Sequence, residues 1–237
     1  FILKSGRREI TIPLPENRLP PRGGLLLAHN LGDVAGKRVC EIGTESHGVN
    51  MFSALLAGAR FVYGIEKGEQ SAEFLGNSFA ELGLSDRAEV HAGSSIPKNA
   101  GTFDVIVANL PQMPSNNTEE TGDDFYNYAG ETGWEIIDSY LQQSQTHLAD
   151  DGYVRIMLLD FLGIEQRTGP TIPSAFERLE ALGLTPKVIA RSNDTAHAGH
   201  PFVTRKGLFE HVSKLYPDYP FVDGGYGMSI VEGRRTR

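Results

Sequence analysis

Three carboxylates and one carboxamide, Glu41, Glu45, Glu66 and Asn109, stand where this chain could do chemistry. Glu66 ends an apolar run about 20 residues beyond Gly43, the spacing at which an acid can take both hydroxyls of a ribose. Glu41 and Glu45 flank the Gly43 turn, and Thr44 lies inside it. Negative charge at a turn that opens a helix repels a phosphate and suits a cation. Asn109 follows the clearest strand pattern of the chain, residues 103–108, and precedes Leu110-Pro111-Gln112. An Asn before such a pair is also an ordinary turn residue. The lone Cys40 falls within an apolar run, where it reads as a small buried hydrophobe and not as a nucleophile.

The elements that must position these groups begin with residues 37–66. Residues 38–42 are a short apolar run ending in a turn, 49–57 have helical spacing, and 61–65 are a second apolar run, so the stretch predicts one βαβ unit. Such a unit sets a glycine turn, a helix N-terminus and a carboxylate at the carboxyl edge of a parallel sheet. That is a nucleoside-binding cleft.

The glycines narrow the nucleoside. A dinucleotide fingerprint needs G-x-G-x-x-G, but Glu45 stands at the second glycine position and the next glycine is Gly48. NAD and FAD are therefore disfavoured. Glu41-Ile42-Gly43 instead resembles motif I of the class I S-adenosylmethionine (SAM) dependent methyltransferases. The resemblance implies SAM as cofactor, with Glu41, Gly43, Thr44 and Glu45 around its methionine half and Glu66 on its ribose. The loop Gly93-Ser94-Ser95 follows a short strand at 88–91, which makes Ser94 the candidate for the adenine.

FDVIVANLPQ, residues 103–112, resembles the FDxIVxNPPY segment of the amino-methyltransferases, both the DNA adenine N6 enzymes and the HemK/PrmC-type glutamine N5 enzymes. Residues 128–138 resemble the HemK-type stretch that opens the next helix, and the similarity runs over about 13–159. It implies that the Asn109 side-chain oxygen and the Leu110 carbonyl accept the two N–H bonds of an acceptor amide, freeing a nitrogen lone pair for an in-line displacement. The chain departs from the pattern at Leu110, which replaces the first proline, and at Gln112, which replaces the aromatic. Without that aromatic a flipped base loses its stacking partner, so a smaller or more polar acceptor is expected. Phe125, Tyr126 and Tyr128 end a polar loop over 113–129 and are expected to line the acceptor pocket and face a sulfonium.

Around this centre, the Pro-rich residues 1–31 read as an extended arm with a short helix, a lid over the cofactor at 12–31. Helices are predicted over 71–82, 134–148, 174–182 and 206–215, and strands over 153–159, 187–190 and 227–231. The last two strands enclose an insertion, 192–225. There His197 and His200, with Asp194, read as loop or substrate-facing residues and not as metal ligands.

The chain has 237 residues and a formal net charge of −8. It is long enough for one large domain, and its charge argues against a nucleic-acid partner. Its apolar runs are far shorter than a membrane span and no leader pattern is read, so it is placed in the cytoplasm. The expectation is an α/β fold: a doubly wound, mostly parallel seven-stranded sheet with the arm (1–31), a catalytic domain (32–237) and the insertion. The expected activity is SAM-dependent methyl transfer to a nitrogen or sulfur of an amino-acid-like small molecule or a glutamine side chain. One alternative is a cyclase in which the SAM amine displaces methylthioadenosine and closes a four-membered ring. A third reading is a non-catalytic SAM-sensing subunit.

Overall fold

Branched and aromatic residues at 38–42, 61–66 and 103–108 carry no interior proline and pack on both faces, which is what a central parallel strand requires. The computed structural model describes residues 1–5, 8–15, 19–114, 129–194, 200–205 and 207–235. Nine strands are assigned among them: β1 (Ile2–Ser5), β2 (Arg8–Thr11), β3 (Arg38–Ile42), β4 (Phe61–Glu66), β5 (Ala88–Ala92), β6 (Phe103–Ala108), β7 (Leu148–Leu159), β8 (Leu184–Asp194) and β9 (Tyr226–Arg235). Strands β3 to β9 form the seven-stranded sheet that the sequence predicts, and their order is β5-β4-β3-β6-β7-β9-β8. Pairing of β3 with β4 and β6, of β4 with β5, and of β6 with β7 is parallel.

The chain divides into two compact units, one of Phe1–Asn109, Gln143–Ile156 and Arg234–Arg237, the other of Leu110–Gln142 and Met157–Gly233. In the first, α1 (Arg22–His29) packs on α2 (Val49–Leu56), and α3 (Glu69–Glu81) packs on β4 and β5. Its core holds Val39, Cys40, Val62, Ile65, Val105 and Ile106, all at most 1% exposed, so Cys40 is the buried hydrophobe expected. Phe52 of α2 stacks on Phe79 of α3 with ring centroids 4.3 Å apart.

Residues 2–11 depart from the extended arm. They form an antiparallel hairpin, with Ile2 opposite Thr11 and Leu3 opposite Ile10. The hairpin lies against α2, where the Arg8 guanidinium donates to the Leu56 carbonyl at 3.4 Å. Pairing between the two strands wins over the isolated extended state because it satisfies backbone groups that a lone arm leaves to water.

Helix α4 (Glu135–His147) leads into β7, and in the second unit α5 (Ala175–Ala181) starts on a capping box: Glu177 N–H donates to Ser174 Oγ, and Ser174 N–H to the Glu177 carboxylate. The insertion contributes α6 (Pro201–Thr204) and α7 (Leu208–Leu215). Phe202, Tyr216, Tyr219, Phe221 and Tyr226 all set their rings against Phe161 at 5.5 to 6.5 Å. His200 belongs to this cluster. It lies in a bend before α6, as a loop residue, but is fully buried with its ring 4.6 Å from that of Tyr226, which corrects its substrate-facing reading. His197 lies outside the described residues, and among those described no group of three His, Cys, Asp or Glu could hold a metal ion. Among them, too, no helix is long and apolar enough to cross a membrane.

Candidate active site

Strand register gathers the predicted cofactor residues. Ile42 pairs with Ile65 on one side and with Ala108 on the other, and Glu66 pairs with Ala92. Gly43, Glu66, Gly93-Ser94 and Asn109 therefore leave four adjacent parallel strands at one carboxyl edge. The sheet order reverses at β3, where β4 lies to one side and β6 to the other, and ligands bind α/β sheets at such a switch point.

The turn from β3 into α2 is held by backbone geometry. Gly43 has φ +77° and donates its N–H to the Ile65 carbonyl at 2.9 Å. Glu45 takes φ +52°, the left-handed conformation that glycine adopts freely and other residues enter at about 1 kcal/mol or more. The turn thus keeps a glycine backbone where the chain has an acid. Glu45 N–H donates to Glu66 Oε2 at 2.8 Å, and Gly68 N–H to Glu66 Oε1 at 2.7 Å. Each Glu66 oxygen retains a second lone pair, so the carboxylate can still accept from ribose hydroxyls. Thr44 is buried and donates its hydroxyl to the Glu45 carbonyl at 3.1 Å. Its methyl packs on Gly64, where a Cβ would come within 2.8 Å of it. Ser94 is exposed on the loop after β5, next to Gly93, whose N–H bonds the Glu66 carbonyl.

Glu41 is fully engaged by α2. Its Oε1 accepts from Asn50 Nδ2 at 2.5 Å and its Oε2 from Met51 N–H at 3.2 Å. Burial pushes its pKa up from 4.5 to about 8, against the two hydrogen bonds and with the charges of Glu45 and Glu66 adding to the rise. The folded chain therefore holds this proton more tightly than the unfolded one. The stability so gained is full below about pH 4.5 and is lost as pH climbs to about 8. Glu41→Gln is expected to flatten the fall of the thermal midpoint across that window. Melts at several pH values check this, and an unchanged profile would assign the pH dependence elsewhere.

Asn50 and His47 were not singled out by the sequence, although an Asn in the first turn of an apolar helix and a His in a glycine turn are the available signals. Asn50 Oδ1 and both His47 ring nitrogens are buried without a hydrogen-bond partner. His47 Nε2 lies 2.8 Å from the Glu45 carboxylate but off the line a ring N–H needs. The site therefore offers three acidic side chains and unmet acceptors, with no Lys or Arg in its turn to receive a phosphate. These residues fit a ligand with a cationic amino-acid end and a ribose, which SAM has.

Asn109 is half-buried at the end of β6. A Cβ on Gly24 would lie 3.5 Å from its Nδ2 and 3.4 Å from Val49. The paired glycines of α1 thus let that helix approach Asn109, which places part of the expected lid segment beside it.

Gln112 does not project as an acceptor contact. It is 3% exposed, and its amide bonds Leu110 and the end of β7: Nε2 donates to the Leu110 carbonyl at 3.1 Å and to the Met157 carbonyl at 2.7 Å, while Oε1 accepts from Leu159 N–H at 2.8 Å. Gly133, at φ +85°, has no room for a Cβ against the Gln112 carbonyl. Just past β7, Asp160 accepts from the Ser229 hydroxyl at 2.5 Å, and burial raises its carboxyl above the usual range. Phe125, Tyr126 and Tyr128 lie outside the described residues.

No protein-family model matches the chain. Over 166 residues it is 27% identical to a protein of Methanocaldococcus jannaschii provisionally described as a protein N5-glutamine methyltransferase, covering 69% of this chain and 82% of that one. A methyltransferase from Pyrococcus furiosus superposes with TM-score 0.57 at 15% identity, covering 95% of this chain and 89% of the other. A geranyl diphosphate methyltransferase solved with SAM gives 0.56 at 17% identity, over 90% and 84%. The fold is that of the class I SAM-dependent methyltransferases.

Proposed function

We propose that this chain is a SAM-dependent methyltransferase acting on a nitrogen of an amino-acid-like acceptor, with a glutamine-type carboxamide the first to test. The observation that carries the reading is the placement of Asn109 at the same carboxyl edge as Gly43 and Glu66. The M. jannaschii relative, described as acting on protein glutamine, supports the choice of acceptor.

SAM supplies an electrophilic methyl on a sulfonium, with a neutral thioether as leaving group. The chain's task is therefore to orient a nucleophile and not to generate one. Glu66 takes the ribose hydroxyls, and Glu45 in the turn favours the cationic end, while Glu41 beneath it anchors the start of α2 through Asn50 and Met51. Asn109 Oδ1 and the Leu110 carbonyl accept the acceptor N–H bonds and turn the nitrogen lone pair toward the methyl. Holding both N–H bonds out of line weakens amide conjugation, and the developing positive charge on nitrogen strengthens both bonds in the transition state.

Incubation of the purified protein with SAM, alone and then with free glutamine, glutamine-containing peptides and a small-metabolite pool, tests the reading by mass spectrometry of the products. Adenosylhomocysteine that appears only with an acceptor, together with a methylated product, supports it. Methylthioadenosine from SAM alone would replace methyl transfer with ring closure. Binding of SAM without turnover under any acceptor would favour a sensing subunit.

A further inference from the structure

We propose that Gln112 is a positioning residue that fixes the Leu110 carbonyl, replacing with side-chain hydrogen bonds the restraint that a proline at position 110 would supply. The inference rests on the reading of that carbonyl as half of the acceptor clamp. Two departures from the NPPY pattern, at 110 and 112, become a single compensated change.

Proline locks its own φ and removes an N–H, so a proline at 110 would fix one of the two torsions that orient the 110 carbonyl relative to Asn109, the other, ψ, being narrowed by Pro111 already. Leucine at 110 frees φ and restores the N–H. A carbonyl that must receive an acceptor N–H then needs another restraint, because a displacement of about 1 Å in a reacting geometry costs on the order of 10²-fold in rate. Gln112 supplies it from two residues away. Its Nε2 reaches the Leu110 carbonyl at 3.1 Å and occupies one of the two lone pairs, leaving the other for an acceptor.

The amide can do this because its own orientation is settled. One N–H goes to Leu110, the other to the Met157 carbonyl, and Oε1 takes the Leu159 N–H. Exchanging the oxygen and nitrogen would set an oxygen against two carbonyls and an NH₂ against an N–H, so one orientation satisfies every partner. A tyrosine could not make this set, having one hydroxyl and a rigid ring. The side chain is buried, and its bonds to Met157 and Leu159 lie where water cannot substitute for them.

Gln112→Met keeps the length and the apolar volume and removes all three bonds. Methyl transfer by this variant is expected to fall about tenfold to a hundredfold in kcat, with the SAM Kd within about threefold of the unchanged protein. Adding Leu110→Pro to Gln112→Met is expected to recover at least about threefold of that loss, since the ring restores the φ restraint. A merely structural glutamine would give no such recovery. The ¹³C resonance of the Leu110 carbonyl and hydrogen exchange at the Leu159 amide read the clamp independently of activity: in Gln112→Met the first should shift and broaden and the second should quicken. Unchanged kcat, an unmoved Leu110 carbonyl, or a loss that the proline leaves untouched would overturn the proposal. If the unsubstituted protein transfers no methyl while both spectroscopic changes appear, the methyltransferase reading fails and the clamp stands.

Discussion

Asn109→Ala is expected to lower kcat for methyl transfer about 10²- to 10³-fold, the size of loss that follows removal of one preorganised polar group aimed at developing charge. SAM affinity should change by less than about tenfold and the thermal midpoint should hardly move, because the side chain is half-buried and leaves no buried partner stranded. The split between kcat and Kd is the informative part. A residue that bound SAM alone would raise Kd, and one that only shaped the turn before Leu110-Pro111 would lower stability. Asn109→Asp refines the result, since a carboxylate accepts N–H bonds as the carboxamide oxygen does but adds a further acid to the edge that holds Glu41, Glu45 and Glu66. An amine acceptor, cationic before transfer, would tolerate that charge, and a neutral amide would be turned over less well. Steady-state kinetics beside calorimetric SAM titration give both quantities. An alanine variant within about threefold of the parent kcat would leave Asn109 as a turn residue.

The legible part of this site is the part that periodicity and chain order determine together. Short apolar runs at 38–42, 61–66 and 103–108 require buried parallel strands, and parallel strands joined by helices must bring Gly43, Glu66 and Asn109 to the same edge. What stayed hidden depends on partners distant in sequence. Glu45 reads as a failed glycine, yet its backbone adopts the glycine conformation, because Glu66 takes its N–H from 21 residues away. Gln112 reads as a lost aromatic, and nothing within its neighbourhood announces Met157 and Leu159 as its partners. His200 lies in a Gly and Ala context that suggests a polar loop, while five aromatic residues from the insertion and the start of β9 gather on Phe161 nearby. The hairpin of residues 2–11 was half visible, in the alternation of residues 9–12, but its pairing partner carries no such pattern.

Glu66→Ala is expected to weaken SAM binding by more than about 100-fold. The carboxylate can take two bonds from ribose hydroxyls, at about 1.5–3 kcal/mol each when charge-assisted, and about 1.4 kcal/mol is a factor of ten in Kd. The same substitution also strands the N–H groups of Glu45 and Gly68, which the carboxylate receives at 2.8 and 2.7 Å. Of these the first matters more, because Glu45 occupies a left-handed conformation that relaxes once its tie is cut, and the turn carrying Thr44 and Gly43 relaxes with it. Glu66→Gln separates the two contributions. Its oxygen can keep one backbone N–H and one hydroxyl, but its NH₂ faces the other N–H, so an intermediate loss of about tenfold to fiftyfold is expected. Titrating adenosine alongside SAM identifies where the loss arises: removing the bonds to the ribose hydroxyls weakens both ligands by the same factor, whereas a relaxed turn weakens SAM further through its methionine half. Equal SAM affinity in Glu66→Ala and the parent protein would remove Glu66 from the ribose and move the cofactor site away from the β3–α2 turn.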